Sequence, residues 1–263
     1  YIPNSSLIYK LIGELQNMRA GNNDWMQARE FQAETYGYDK YLGGCHMIPN
    51  HAIIILSLLF GDDDLQKTLM IVNTAGHDTD CNSGNVGCIM GIKNGLEGLR
   101  NGPDYLTPIQ DRMYCPTANG GETQTDALTE AYKVINTAKK MNKEETVEPK
   151  NGSRFHFEMP GSVQGWRSSF KNNKNISTIV QNTEYESSIG KRALEIKFDR
   201  VAPGVCSEAV VDTFFPQELY ELTGSARERF FQSYNFISCP LLYSGQNIES
   251  EIIFKSNSQK PIT

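Results

Sequence analysis

Residues 46–95 read HMIPNHAIIILSLLFGDDDLQKTLMIVNTAGHDTDCNSGNVGCIMGIKNG, and their pattern decides the fold of the first half of the chain. Pro49 suits the first turn of a helix, the apolar run from Asn50 to Phe60 continues it, and Gly61 closes it. The aspartates at 62–64 then offer an N-cap for a second helix over Leu65–Ala75. A third helix is predicted over residues 82–100. Between the second and third lies an interruption, His77-Asp78-Thr79-Asp80-Cys81. Two carboxylates one residue apart can cap a helix by accepting backbone N–H bonds, or can turn their oxygens toward one hard cation. Gly84, Gly87 and Gly91 follow at helical spacing, which predicts a close backbone approach by a neighbouring helix.

The surrounding sequence is helical on both sides. Leu7, Ile8, Leu11, Ile12, Leu15 and Met18 fall on one helix face. Leu128, Ala131, Val134, Ile135, Ala138 and Met141 form an apolar stripe within Thr125–Met141, and QTDALTE at its start is capping chemistry. The stretch KEETVEPKNG, residues 143–152, reads as a linker. Beyond it the apolar period becomes two, at Phe155, Phe157 and Met159, at Leu194, Ile196 and Phe198, and from Ile248 to Ile252 and Phe254. The expected architecture is therefore multidomain: an all-α region over residues 1–145, then an antiparallel β-sandwich over 150–263. No internal repeat is evident.

The 263 residues carry a formal charge of −6 and are 39% hydrophobic, enough for a packed core. The acidic balance gives no field for holding a polyanion, which argues against a nucleic-acid partner. The longest apolar run, Ala52–Phe60, is too short to span a membrane. The six cysteines form no CxxC pair, so a zinc ribbon is not supported. Cys206 and Cys239 are candidates for one disulfide, which spacing does not decide, and Cys88 reads as a buried small hydrophobe. Asn-x-Ser triplets at Asn4, Asn151 and Asn175 permit glycosylation, and the chain is read as soluble and secreted or periplasmic.

The order His-x-x-Pro-Asn, hydrophobic helix, second helix, Gly-x-Asp-x-Asp and a small-residue helix resembles the C-terminal half of an ADP-ribosylglycohydrolase. The resemblance covers roughly residues 1–140 and is strongest over 46–95. It implies an all-helical domain that hydrolyses the bond between ADP-ribose and a modified side chain or small molecule, using a pair of Mg²⁺ or Mn²⁺ ions. Asp78 and Asp80 are then the catalytic carboxylates and metal ligands, with Cys81 beside them where the family often has a hydroxyl residue. A thiol is a poor partner for Mg²⁺, so either Cys81 does not ligate or the metal preference has shifted. His77, Asn50 and Asn82 complete the candidate set as substrate contacts. His77 reads equally as a solvated loop residue, and Asn50 as a helix cap. The family's Thr-Asp-Asp-Thr motif is absent, and Asp62–Asp64 read as a cap. On that reading the region is N-terminally truncated, half the site is missing, and the chain alone is inactive.

The second half, through Gly165-Trp166, Ala193-Leu194 and Gly245-Gln246, resembles a jelly-roll module of carbohydrate-active enzymes that ends before it is complete. Trp166 reads as a sugar-stacking ring or as a sandwich-core aromatic, and Tyr185, Tyr220 and Tyr243 are equally open. The implied partners are an ADP-ribosylated substrate or small glycoside, and a glycan on the sandwich. The rival is a non-catalytic glycan- or ligand-binding protein on a degenerate helical scaffold.

Overall fold

A computed structural model describes residues 1–115, 120–169, 177–199, 207–215, 219, 221–233 and 239–255. The proposed glycosylation site Asn175, the aromatic Tyr220 and the Cys206 half of the disulfide pairing lie outside these residues. The chain divides into two compact units, Tyr1–Tyr105 and Leu106–Thr263. The change of composition at 143–152 falls within the second.

The first unit is five helices: α1 Leu7–Gly21, α2 Trp25–Tyr36, α3 Met47–Phe60, α4 Leu65–Thr74 and α5 Thr79–Arg100. Helix α3 touches the other four, which explains why it is apolar all round rather than on one stripe. Its Ala52, Leu56 and Phe60 join Leu11, Leu15, Ala28, Tyr36 and Ile71 in one cluster. Its Ile53 joins Leu65, Val72, Ala75, Val86 and Met90 in another. All these side chains are essentially removed from water, so this helix is the keel on which the loop before α5 is placed.

Local chemistry sets the helix ends. His46, not Asn50, caps α3: its Nδ1 accepts from the Ile48 N–H at 3.1 Å, and the helix starts before Pro49. Asn50 is instead inside the helix and buried. Asp64 caps α4 through the Lys67 N–H at 2.6 Å, as its position predicts. Gly61 is required for space, since a Cβ there would stand 1.9 Å from Thr68 Oγ1. The glycines of α5 behave otherwise. Gly84 and Gly91 have nothing within 4 Å of an added Cβ, and Gly87 meets only Leu69 Cδ2 at 3.9 Å. The close helix approach expected there is absent among the described residues, and Cys88, expected to be buried, is exposed. Helix α5 is broken at Gly95, whose φ of 63° a side chain would resist.

The second unit holds α6 Ala127–Met141 and α7 Gly224–Ser233 with short antiparallel strands. These are β1 Arg112–Tyr114 with β2 Gln124–Asp126, β3 Arg167–Ser168 with β6 Ala209–Val210, and β4 Ser177–Glu184 with β5 Arg192–Asp199. The last pair runs in register from Ser177 opposite Asp199 to Glu184 opposite Arg192. Among the described residues each sheet has two strands, and no closed sandwich is formed. The alternating runs at 155–159 and 248–254 form no strand, since neither pairs with a partner among the described residues. In α6 the period predicts the helix correctly, but of the stripe only Leu128 is buried, while Val134 and Met141 are 71% and 80% exposed.

Polar contacts do much of the work in this unit. Asp111 Oδ2 accepts from Ser162 Oγ at 2.6 Å and from the N–H groups of Val163 and Gln164 at 2.9 and 3.1 Å. Buried Gln164 accepts from the N–H groups of His156 and Phe157, both at 2.9 Å. Asp126, 1% exposed, caps α6 through Thr129 and takes a salt bridge from Arg154. Arg167 grips Asp212 with two hydrogen bonds. Trp166 is half-buried, edge-on to Phe155 with ring centroids 5.6 Å apart.

Candidate metal centre

The loop between α4 and α5 turns sharply because Gly76 and His77 both take positive φ, 85° and 61°. A histidine in that region is uncommon and must be held by its neighbours. Here the ring packs on Tyr38 with centroids 4.3 Å apart, and its Nε2 faces the Gln32 side-chain amide at 3.3 Å. His77 is thus half-buried rather than solvated, and burial, with the Arg29 charge second, lowers its proton affinity. Arg29 in turn reaches the Ala75 carbonyl and donates to Gln32 Oε1 at 2.9 Å. One face of α2 therefore braces the loop.

Asp78 occupies the N-cap position of α5 but makes no side-chain capping bond. The helix begins earlier than residue 82, so Asp80 and Cys81 lie in its first turn. Ligand atoms of Asp78, Asp80 and Cys81 all lie within 4.8 Å of one another, and this is the one such group among the described residues. Asp78 is half-buried; Asp80 and Cys81 are exposed. Its interaction with the Cys81 thiol above all, then with the Asp80 side chain, and to a lesser degree with the Cys45 thiol, holds the Asp78 carboxyl below the usual range. In return the neighbouring Asp78 carboxylate pushes the proton affinity of both thiols up.

Beneath the loop, Asn50 Oδ1 gathers three donors: Tyr38 Oη at 2.8 Å, the Asp78 N–H at 3.4 Å and Asn82 Nδ2 at 3.5 Å. Asn50 and Asn82, 7% and 1% exposed, form the floor of the loop. The candidate residues are thus brought together in two layers, with Asp78, Asp80, Cys81 and His77 above and the two asparagines below. Sequence reasoning missed Arg29, Gln32, Tyr38 and Cys45. The spacing of Arg29, Gln32 and Tyr36 along one face of α2 was the available signal for the first two.

The donor chemistry fits a divalent cation in one respect and strains against magnesium in another. Two carboxylates are held together, and no salt bridge among the described residues reaches either one. The neighbouring triplet contrasts with this. Asp62 pairs with Arg19 and Lys67, Asp63 with Lys93, and Asp64 caps α4. Asp62 and Asp63 are thus balanced by ion pairs and Asp64 is engaged as a cap, whereas Asp78 and Asp80 leave room for an ion to balance them. The adjoining thiols are soft donors that Mg²⁺ does not favour.

Comparison with known proteins bears on the helical half. The family described as ADP-ribosylglycohydrolase matches residues 6–140, just over half of the chain. No curated protein and no solved structure matches.

Proposed function

The chain belongs to the ADP-ribosylglycohydrolase family, and on that premise we propose that it hydrolyses the glycosidic bond of ADP-ribosyl groups, or of a related glycoside, with the help of a divalent cation. The observation that carries the proposal is the pairing of Asp78 with Asp80 at the start of α5, free of any ion pair among the described residues. Asp78 and Asp80 would hold the cation, which supplies charge to polarise the ribose and to lower the pKa of an attacking water. Mg²⁺ or Mn²⁺ is the choice the family implies, in a binuclear arrangement.

The chain's own residues have distinct tasks in this reading. Asp78 and Asp80 orient the water toward the anomeric carbon. His77, whose proton affinity burial lowers, stands next to Asp78 to contact the substrate. Asn50 and Asn82 act from below, by fixing the Asp78 backbone, rather than by touching substrate. Residues 1–145 form the family domain in this proposal, and 150–263 an accessory β module for glycan.

The test is release of free ADP-ribose from ADP-ribosylated protein incubated with the purified chain and Mg²⁺, Mn²⁺ or Zn²⁺. Metal-dependent release that disappears in Asp80→Asn supports the assignment. Release that chelation of the metal or Asp80→Asn leaves unchanged rejects it.

A further inference from the structure

Residues 248–255, Ile-Glu-Ser-Glu-Ile-Ile-Phe-Lys, carry the apolar alternation of a strand, yet no ladder bond reaches them among the described residues. They form the end of an arm whose root is tied down. The Leu241 N–H donates to the Thr213 carbonyl at 2.7 Å, and a turn closes from the Gln246 N–H to the Tyr243 carbonyl at 3.2 Å. From 242 to 255 every residue is exposed, with Ile252 at 81% and Phe254 at 58%. An apolar strand sequence left in water is a template for pairing with another edge.

The second unit holds a matching edge. Tyr185 donates its N–H to the Lys191 carbonyl, so Thr183–Ala193, Gln181–Glu195 and Ile179–Lys197 are the hydrogen-bonded pairs of the β4–β5 ladder. The N–H and C=O groups of Leu194, Ile196 and Phe198 therefore point away from β4, and none has a backbone partner among the described residues. The same three side chains share one face of the sheet with Val180, and Ile196 and Phe198 are exposed.

We propose that residues 248–255 of one copy add to β5 of a second copy as an antiparallel third strand, and that the two copies exchange these arms reciprocally. Charge and pattern select the register. Setting Lys255 across from Glu195 places Phe254 across from Ile196 and Ile252 across from Phe198, which extends the apolar face. In that register Ile252 and Phe254 turn their N–H and C=O groups to Phe198 and Ile196, whose own groups point outward. A slip of one residue would send both arm side chains to the face of Glu195 and Lys197. The charge match is visible within one chain: the Gln181 amide first, then Lys197 and lastly Lys255 hold the Glu195 carboxyl below its usual range. Pairing between copies is favoured over closure within a chain, because the tied root leaves the arm extended without a ladder bond to its own β5. Reciprocal exchange closes on a twofold axis, so each contact is made twice and no arm is left over.

The experiment uses the whole chain in sedimentation under reducing conditions, where the mass should be twice the 29.5 kDa of one chain. Ile252→Pro deletes an N–H that the ladder needs and should raise the dimer dissociation constant by at least about tenfold. Ile252 lies outside the core, and circular dichroism of the variant checks that the fold is kept. Ile253→Cys in one copy and Lys197→Cys in the other fall on directly opposed residues, about 4.5 Å apart at Cα, within disulfide reach. Mild oxidation of the mixed chains should give a covalent dimer well in excess of either variant alone. A chain that stays monomeric as concentration rises overturns the proposal. So does a dimer untouched by Ile252→Pro, a mixture without the excess covalent dimer, or a doubly substituted chain that closes its disulfide within one monomer.

Discussion

The amide oxygen of Asn50 faces the backbone N–H of Asp78 at 3.4 Å, across 28 residues of sequence. A buried polar group inside an apolar helix thereby governs where the α5 cap lies. Asn50→Ala removes the shared acceptor and strands the Tyr38 hydroxyl and the Asp78 N–H. The expected cost is about 1–3 kcal/mol of stability. Divalent-ion affinity should fall as well. Chemical denaturation and dialysis measure the two effects, and an Asn50→Ala protein unchanged in both would remove the anchoring role.

Asp80→Asn keeps the shape of the first turn of α5 but withdraws one of the paired charges. Divalent-ion binding and any ADP-ribose release should be lost, with helical circular dichroism unaltered because Asp80 is exposed. Turnover at the parent rate would show that Asp80 has no part in the site.

Cys81→Thr exchanges a soft donor for an oxygen of similar size. Affinity for Mg²⁺ should rise and affinity for Zn²⁺ should fall. Titration with each ion separates the two trends, and identical constants before and after would place the thiol outside the coordination shell.

Asp64→Ala deletes the α4 cap without touching the candidate centre. It should cost about 1 kcal/mol in urea denaturation and leave ion binding intact. Weakened ion binding in this variant would mean that the aspartate triplet contributes ligands after all.

His51 and His156, one in each unit, both have their proton affinity lowered by burial. An unfolded histidine titrates near 6.5, so below that pH the unfolded chain binds more protons than the folded one. Their contribution to stability is present above about pH 6.5 and is lost as pH falls toward their lowered values. Urea midpoints should decline between pH 7.5 and 5.5, ahead of carboxylate titration, and less steeply in His51→Leu. A flat profile over that range contradicts the assignment.

The sequence made the helices of the first unit legible because they are written in apolar spacing and in caps. Asp64 is the clearest case, since a capping aspartate needs only the turn that follows it. Asn50 was misplaced for the opposite reason. An asparagine near a helix start resembles a cap, and only tertiary contacts with Tyr38, Asp78 and Asn82 show it to be an internal tie. The pairing of Asp78 with Asp80 was readable from their spacing, while Cys45 was not, for it arrives from a different loop. In the second half, alternation at 194–198 predicted β5, yet the same pattern at 248–254 gave no strand. Period alone cannot supply the partner whose hydrogen bonds make a strand.

The aspartate- and glutamine-centred network of the second unit has a calorimetric consequence. Leu128 and Val163 are the buried hydrophobic residues among those described in that unit, while Thr123, Gln124, Asp126, His156, Ser162, Gln164 and Arg167 are also buried. Heat capacity rises on unfolding with apolar exposure and falls with polar exposure. This unit should therefore melt with a smaller heat-capacity increment per residue than the helical one. Its stability curve against temperature would be the flatter of the two, so that cooling strengthens or weakens it little while the helical unit responds.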